Sequence, residues 1–254
     1  MKQQSRRVTK WLVPLLALIF ALSVYEVWQI LSQYRTGREA FSALQQQVSL
    51  PEPNQPAPQQ EKEPTVVHRH DFALLKEKNP DCLAWVSVPD TAVDYPVMYT
   101  PAEPERYLRK NFDRKYSISG TPFLDGHGAP DALHRIVYGH NMKDGSMFSE
   151  LVGYAEKSFA EAHPVIEWET EAGVQRYTVY AAAAVKKTDA WYGFTDAADE
   201  AELLHRLGAL SEKVIYFTGA APEYGDRLLT LSTCYGATKD DRLIVIAVAK
   251  DERA

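Results

Sequence analysis

The stretch RLLTLSTCYGATKDDRLIVIAVA, residues 227–249, decides the fold class, because it reads as two strands joined by a short polar turn. In its first half, Thr230, Ser232 and Cys234 alternate with Leu229, Leu231 and Thr233. Side chains of a strand alternate between faces, so Cys234 sits on a polar face at a strand end. The residues YGATKDD then lead to Arg242, which opens the apolar run LIVIAVA. Paired as an antiparallel hairpin, the two strands place Cys234 and Arg242 at the same end of a sheet. A nearby guanidinium favours the ionised form of a thiol, which makes this a candidate nucleophile site. The alternatives are a buried structural thiol, or half of a disulfide with Cys82, the other cysteine of the chain.

Upstream, short β-rich runs recur between turn residues: AWVSV (84–88), VDYPVM (93–98), TPFLD, HRIVYGH, PVIEW, VQRYTVYAAAAV and KVIYFT. Their number and spacing predict a mostly β protein with a closed or nearly closed barrel. The proline of VDYPVM suits an edge or a bulge. Two helical segments interrupt the strands, one near 146–156 and one over 197–210, where Leu203, Leu204, Leu207 and Leu210 recur at helical spacing. P-loop, dinucleotide-binding, HExxH and CxxC patterns are absent from the sequence.

A cysteine nucleophile needs an acid/base partner, and seven histidines are available. His68 and His70 lie beside a linker and read as solvated. His205 falls on the helix, His163 precedes a proline, and His127 and His134 flank a Gly/Pro turn. His140 closes the run HRIVYGH and precedes a turn, where scaffolded catalytic groups often sit, so position favours it. Thr230 and Ser232, on the cysteine's face, and Trp191 and Tyr192, before the second helix, are candidate groove residues. The sequence calls for neither a metal nor a cofactor.

The chain has 254 residues, 45% hydrophobic and 24% charged, as expected of a folded protein with one main domain. Lys2, Arg6, Arg7 and Lys10 make residues 1–10 a basic tail, while the formal net charge of the whole is −6. The acidic remainder argues against nucleic acid as a partner. Residues 11–31 are almost uniformly apolar and long enough to cross a bilayer. The basic tail ahead of them predicts a cytoplasmic N-terminus and an exported body. Cleavage after Ala21-Leu22-Ser23 as a secretory signal is the alternative. Residues 32–66 read as a stalk, first helical and then rich in Pro and Gln. Its extended part, 51–66, would reach about 50 Å at the polyproline rise. The folded domain is expected over 67–254.

Four blocks in order resemble a class B sortase: NPDCLAWVSVPDTAVDYPVM (79–98), YLRKNFDRKYSISGTPFLD (107–125), YGHNMKDGSMF (138–148) and TLSTC (230–234), with an arginine eight residues after the cysteine. The resemblance covers about residues 70–250. It implies a barrel of about eight strands with N-terminal helices and an extra helix before the last strands. It further implies a membrane-anchored cysteine transpeptidase on the outer face of a Gram-positive-type envelope. Motif position makes Cys234 the nucleophile, His140 the acid/base and Arg242 the group that steadies the substrate carbonyl. The implied partners are a surface protein or pilin bearing a C-terminal sorting signal of LPxTG or NPxTx kind, and an amine of peptidoglycan or of a pilin lysine. Gly126 to Pro130 departs from the family pattern, which often has Arg-Asn there, and Cys82 is not a family requirement. A hydrolytic peptidase with the same trio, and a tethered binding module with a Cys82–Cys234 disulfide, are the competing expectations.

Overall fold

The computed structural model describes residues 2–50, 68–219 and 221–250. Among them, the β-rich runs become nine strands: β1 (Cys82–Ser87), β2 (Asp94–Met98), β3 (Phe123–Leu124), β4 (His134–Tyr138), β5 (Val165–Thr170), β6 (Gly173–Lys186), β7 (Val214–Phe217), β8 (Arg227–Cys234) and β9 (Asp241–Ala249). Hydrogen bonds order them β5-β1-β2-β3-β4-β8-β9-β6, and β6 pairs again with β5. Eight strands therefore close into a barrel, with β7 added on the outside of β6. Closure leaves the eight without a free edge. Pro96 is tolerated in β2 because only Met98 of that strand pairs with β3, so the missing N–H costs no ladder bond there.

Alternation fills the barrel. Val86, Val97, Val137, Leu229, Leu231 and Val245 point inward and are fully buried. The opposite faces are also covered, which is why β8 and β9 are buried along nearly their whole length. Helix α4 (Glu200–Ser211) lays Leu203 and Leu210 against Leu228, Ile244 and Ile246 on the outer face of β8 and β9. Asp199 caps this helix by accepting the Glu202 N–H at 2.9 Å, and Glu202 reaches back to the Ala198 N–H. The segment expected to be helical near 146–156 is a 3₁₀ turn over Ser149–Ala155, followed by a short α-helix, Lys157–Ala162.

The N-terminal helix α1 runs without a break from Lys2 to Val48. Its apolar part, from Leu12 onward, touches nothing in the body, and it is the one helix among the described residues that is long and apolar enough to cross a bilayer. Further along, Phe41, Leu44 and Val48 are buried with Phe72 and Leu75 of α2 (Phe72–Lys78) and with Trp85. The end of the expected stalk is thus a layer of the folded body, because its apolar residues at i, i+3 and i+7 cover the outer face of β1 and β2.

The proline-rich residues 51–66 lie outside the described residues, but their flanks meet. Ser49 and His70 form an antiparallel bridge, the Leu50 N–H donates to Arg69 O at 2.7 Å, and the Asp71 N–H donates to Val48 O at 2.8 Å. The expected 50 Å spacer falls on those residues, while the pairing of their flanks ties the start of the body to the end of α1. His70 also departs from expectation. It is buried, its ring stacks on Trp85 at 4.1 Å, and Nδ1 lies 2.7 Å from Glu169 Oε2. Burial alone would raise the Glu169 carboxyl, yet hydrogen bonds from His70 and from the Arg69 N–H bring it below the ordinary range. A histidine beside a linker looked solvated because its partner lies 99 residues away.

Truncating Phe41, which is 4% exposed, removes the ring that joins α1 to this cluster. Phe41→Ala is expected to lower the stability of the body by about 3 kcal/mol, read as a reduced urea midpoint at an unchanged slope.

Candidate active site

Strand register brings three chemically capable side chains together. β4 and β8 run parallel, with Tyr138 opposite Ser232 at the end of the ladder. Two residues further on, Cys234 ends β8, while His140 lies just beyond the end of β4 and lines the same groove. On the other side of β8, the antiparallel partner β9 places Arg242 directly opposite Cys234. Thiol, imidazole and guanidinium therefore share one rim of the barrel on three adjacent strands.

Local contacts fix the chain where it leaves β4. The Gly139 N–H donates to Ser232 O at 3.1 Å, Thr233 Oγ1 donates to Gly139 O at 2.9 Å, and Asn141 Nδ2 donates to Cys234 O at 2.9 Å. Residue 139 must be glycine, because a Cβ there would fall 2.4 Å from the ring of Phe148. That ring is fully buried, and the Phe148 N–H bonds His140 O at 2.9 Å. The block YGHNMKDGSMF is thus a folded turn that carries His140 and clamps the backbone of Cys234.

His140 is half-buried, and its Nε2 lies 2.9 Å from the carbonyl oxygen of Leu108. A carbonyl only accepts, so Nε2 carries the proton in this contact and Nδ1 is left for exchange. Gly120, with φ of +60°, leaves room for this carbonyl, since a Cβ there would stand 2.6 Å from Leu108 O. Burial pushes the His140 imidazole below its ordinary pKa of 6.5; the Leu108 hydrogen bond opposes this, and the charges of Arg109 and Arg242 add to it. Arg242 is anchored by its own turn, with Nη1 donating to Lys239 O at 2.8 Å and to Asp241 O at 2.9 Å. Its position among groove residues leaves the rest of the guanidinium fork available to a ligand.

Cys234 is exposed and unpaired. It opens into a groove of about 450 Å³ whose lining includes Leu108, Phe123, Tyr138, Tyr192, His140 and Arg242. Ser232 and Tyr192 are in this wall and hydrogen-bond each other at 2.8 Å, and the Tyr192 ring stacks on Tyr138 at 5.7 Å. Burial pushes the Tyr192 hydroxyl up to about 12, so it stays protonated as a donor. Tyr138 donates to Asp125 Oδ2 at 2.6 Å, and Asp125 accepts from the backbone N–H of His127 at 2.7 Å. The glycine-rich turn after Asp125 is part of the same wall: a Cβ on Gly126 would fall 2.5 Å from Pro104, also a groove residue.

Thr230 and Trp191 do not line the groove. Both are buried behind it, where Trp191 Nε1 donates to Thr230 Oγ1 at 3.1 Å and Thr230 lies 2.7 Å from His134 Nε2. His134 Nδ1 is 2.6 Å from Phe194 O, so the neutral imidazole satisfies both nitrogens. Burial lowers its pKa to about 4. Sequence reasoning placed Thr230 on the cysteine's face correctly, but the loop before α4 covers that face at Thr230, four residues before Cys234.

Cys82 lies in the cluster beneath α1 and α2, 1% exposed and unpaired, and burial pushes its thiol up to about 12. The expected alternative of a Cys82–Cys234 disulfide is not met, since one thiol is in a core and the other in an open groove. Of the remaining histidines, only His127 borders the groove. Leu108, Asn141 and Thr233 were missed. Leu108 and Thr233 act through or on backbone atoms that the sequence does not display, whereas Asn141, next to the histidine, was a visible polar signal.

The sequence profile of the Sortase domain matches residues 86–250. Sortase B of Listeria monocytogenes is 32% identical over 169 residues, covering 65% of this chain and 68% of the relative. A Staphylococcus aureus sortase B–substrate complex superposes with a TM-score of 0.65 at 26% identity, covering 72% of this chain and 85% of that one. A sortase B complexed with triglycine superposes at 0.64 with 27% identity, covering 72% and 86%.

Two titrations follow from the histidines. Arg109→Gln removes a positive charge that disfavours the His140 imidazolium, so the NMR midpoint of His140 should rise toward 6.5 while the fold is retained. His134 behaves through stability. Below pH 6.5 the unfolded chain binds a proton that the folded chain refuses until about pH 4. Its contribution is therefore complete above 6.5 and is lost as pH falls, by at most about 1.4 kcal/mol per pH unit. His134→Gln should flatten that part of the urea-stability profile.

Proposed function

The chain belongs to the sortase family, class B, and is a cysteine transpeptidase, and from that premise we propose that Cys234, His140 and Arg242 carry out the transfer. The observation that carries the assignment is their convergence at one rim, set by the β4–β8 and β8–β9 registers. Cys234 attacks the threonine carbonyl of a sorting signal. The C–S bond forms, the carbonyl oxygen becomes an oxyanion, and the free N–H groups of Arg242 stabilise it. As the C–N bond breaks, protonated His140 gives its Nδ1 proton to the leaving amine. An incoming amine then attacks the thioester and gives a proton to Nδ1, and the C–S bond breaks to release the Cys234 thiolate, restoring the ion pair.

Burial, with the neighbouring Arg109 and Arg242 charges adding to it, disfavours the imidazolium, so the reactive ion pair is a minority form of the free enzyme. Slow turnover is the consequence. The groove wall of Tyr192, Tyr138 and Leu108 supplies apolar surface for the residues ahead of the threonine, with Ser232 as a polar contact. The complexes of relatives with a substrate and with triglycine support a sorting-signal peptide and an oligoglycine-like amine as the two reactants. Sortases are cell-envelope enzymes, and the apolar part of α1 is compatible with an anchor. We assign the basic residues 2–10 to the cytoplasmic side and the barrel to the outside. Attachment to the wall, rather than to a pilin, is favoured by the triglycine complex.

The test uses a chain starting at Arg35, which keeps Phe41, Leu44 and Val48, with quenched LPxTG-like and NPxTx-like peptides and triglycine. Cleavage should vanish in Cys234→Ala and His140→Ala, and should fall about 100-fold in Arg242→Gln, in line with the loss of one oxyanion donor. Product carrying triglycine on the threonine carbonyl is the expected outcome. Hydrolysed product alone, with triglycine in excess, would overturn the transferase assignment in favour of a peptidase.

A further inference from the structure

Because α1 is continuous, the order in which the body touches it is also an order of distance from the membrane. The apolar run ends at Leu31, and the first buried position of the packed segment is Gly37, six residues or about 9 Å further along the axis. At Gly37 the neighbours are Ser119 and Ser117: a Cβ there would stand 3.4 Å from Ser119 Oγ. The next contacts are Arg38 with Asp144 at 3.5 Å, then Gln45 with Asp94 at 3.0 Å, then the Ser49–His70 bridge. The first part of the body met along α1 after the apolar run is thus the segment at Ser117 and Ser119, into which the hairpin of residues 109–116 leads.

This hairpin is well formed. Lys110 and Tyr116 make an isolated antiparallel bridge, the Ser117 N–H donates to Arg109 O at 3.0 Å, and the Asn111 N–H bonds Lys115 O at 2.9 Å. Asn111 Oδ1 accepts the Lys115 N–H at 2.9 Å, closing the tip. Residues 109–116 carry Arg109, Lys110, Arg114 and Lys115 against the single acid Asp113. Among the described residues, none of these four cations has a carboxylate within 4.0 Å, although most other basic side chains of the body are paired. Beside them, Tyr116 is 72% exposed. An unpaired basic cluster with an exposed aromatic is what an anionic interface recognises, and the rest of the chain past its N-terminal tail is acidic.

We propose that the 109–116 hairpin docks on the anionic phospholipid headgroups of the bilayer that α1 spans, with Arg114 and Lys115 at the phosphates and Tyr116 at the interface. The proposal rests on the anchor assignment for α1. Gly37, where the segment that follows the hairpin meets α1, is about 9 Å along the axis from the apolar boundary, roughly one Debye length at 0.1 M salt. The contact has a consequence for the site: the same loop supplies Leu108, whose carbonyl holds His140 and whose side chain lines the groove. Headgroup docking therefore fixes the height of the groove over the membrane from which a sorting signal emerges.

The experiment places the full chain in lipid nanodiscs with a nitroxide at residue 116, as Tyr116→Cys in a Cys234→Ala background, Cys82 being buried. Accessibility to a water-soluble nickel chelate is compared between phosphatidylcholine discs and discs rich in phosphatidylglycerol. A nitroxide at exposed residue 171, by Glu171→Cys, is the control, since it sits in the β5–β6 turn beside Lys76 of α2. Anionic discs should reduce accessibility at 116 by about threefold or more, leave 171 unchanged, and lose the effect in Arg114→Gln/Lys115→Gln and part of it in Lys115→Gln alone. Equal accessibility in the two lipids would overturn the proposal. So would equal protection by soluble polyphosphate in detergent, which would indicate a polymer site. Comigration of the chain with the discs reports the anchor separately, and peptide cleavage by the unlabelled double variant in detergent, expected to be unchanged, reports the catalytic assignment separately.

Discussion

The parallel pairing of β4 with β8 is the constraint on which the site depends. Parallel neighbours have no short connection to align them, and here 93 residues separate Asn141 from the Cys234 carbonyl it clamps. Alignment comes from burial: Val137, Leu229, Leu231 and Val245 must all face the barrel interior. A slip of one residue in β8 would turn those leucines outward and bring Thr233 to the rim in place of Cys234. The apolar alternation that stabilises the barrel therefore also selects which side chain is presented to the groove.

The outer faces matter for the same reason. Thr230 looks like a groove residue by alternation, yet it is covered by Trp191 and bound to His134, and the first residue of that face to emerge is Cys234. Burying a hydroxyl, an indole N–H and an imidazole together is tolerable only because each finds a partner. The network makes the floor of the groove rigid while keeping it uncharged near neutral pH. On the opposite side of the barrel, α1 and α2 do the equivalent job for β1 and β2, with Phe41, Leu44 and Val48 supplying surface that a detached stalk would have left in water.

Much of this was legible in the sequence, and the reasons for success and failure are physical. The β-rich runs were readable because apolar periodicity and turn residues are local, and the β8–β9 hairpin was readable because only six residues join its strands. Cys234, His140 and Arg242 were singled out by position at strand ends and by family resemblance, and the three line one groove. What escaped was non-local or lay in the backbone. Glu169, which makes His70 a buried residue, is 99 positions away. Leu108 acts on His140 through a carbonyl, an atom every residue has. The residues 51–66 have the composition of a spacer, but composition cannot show that Ser49 and His70 on either side of them pair.

The use of a carbonyl, rather than a carboxylate, to hold His140 shapes the electrostatics of the whole rim. A carboxylate would add negative charge and favour the imidazolium, whereas Leu108 O fixes orientation and tautomer with only a dipole. Arg109 and Arg242 then bias the ring further toward the neutral form. The same positive field that disfavours the imidazolium favours a thiolate and an oxyanion, so one arginine cannot help the acyl-transfer oxyanion without opposing the protonated histidine that must release the amine. With the roles proposed for Cys234, His140 and Arg242, that opposition slows acylation. With the groove open to solvent, selectivity for an amine over water depends on how the acceptor is held, which gives the position of the groove relative to the bilayer and the envelope a direct bearing on the chemistry.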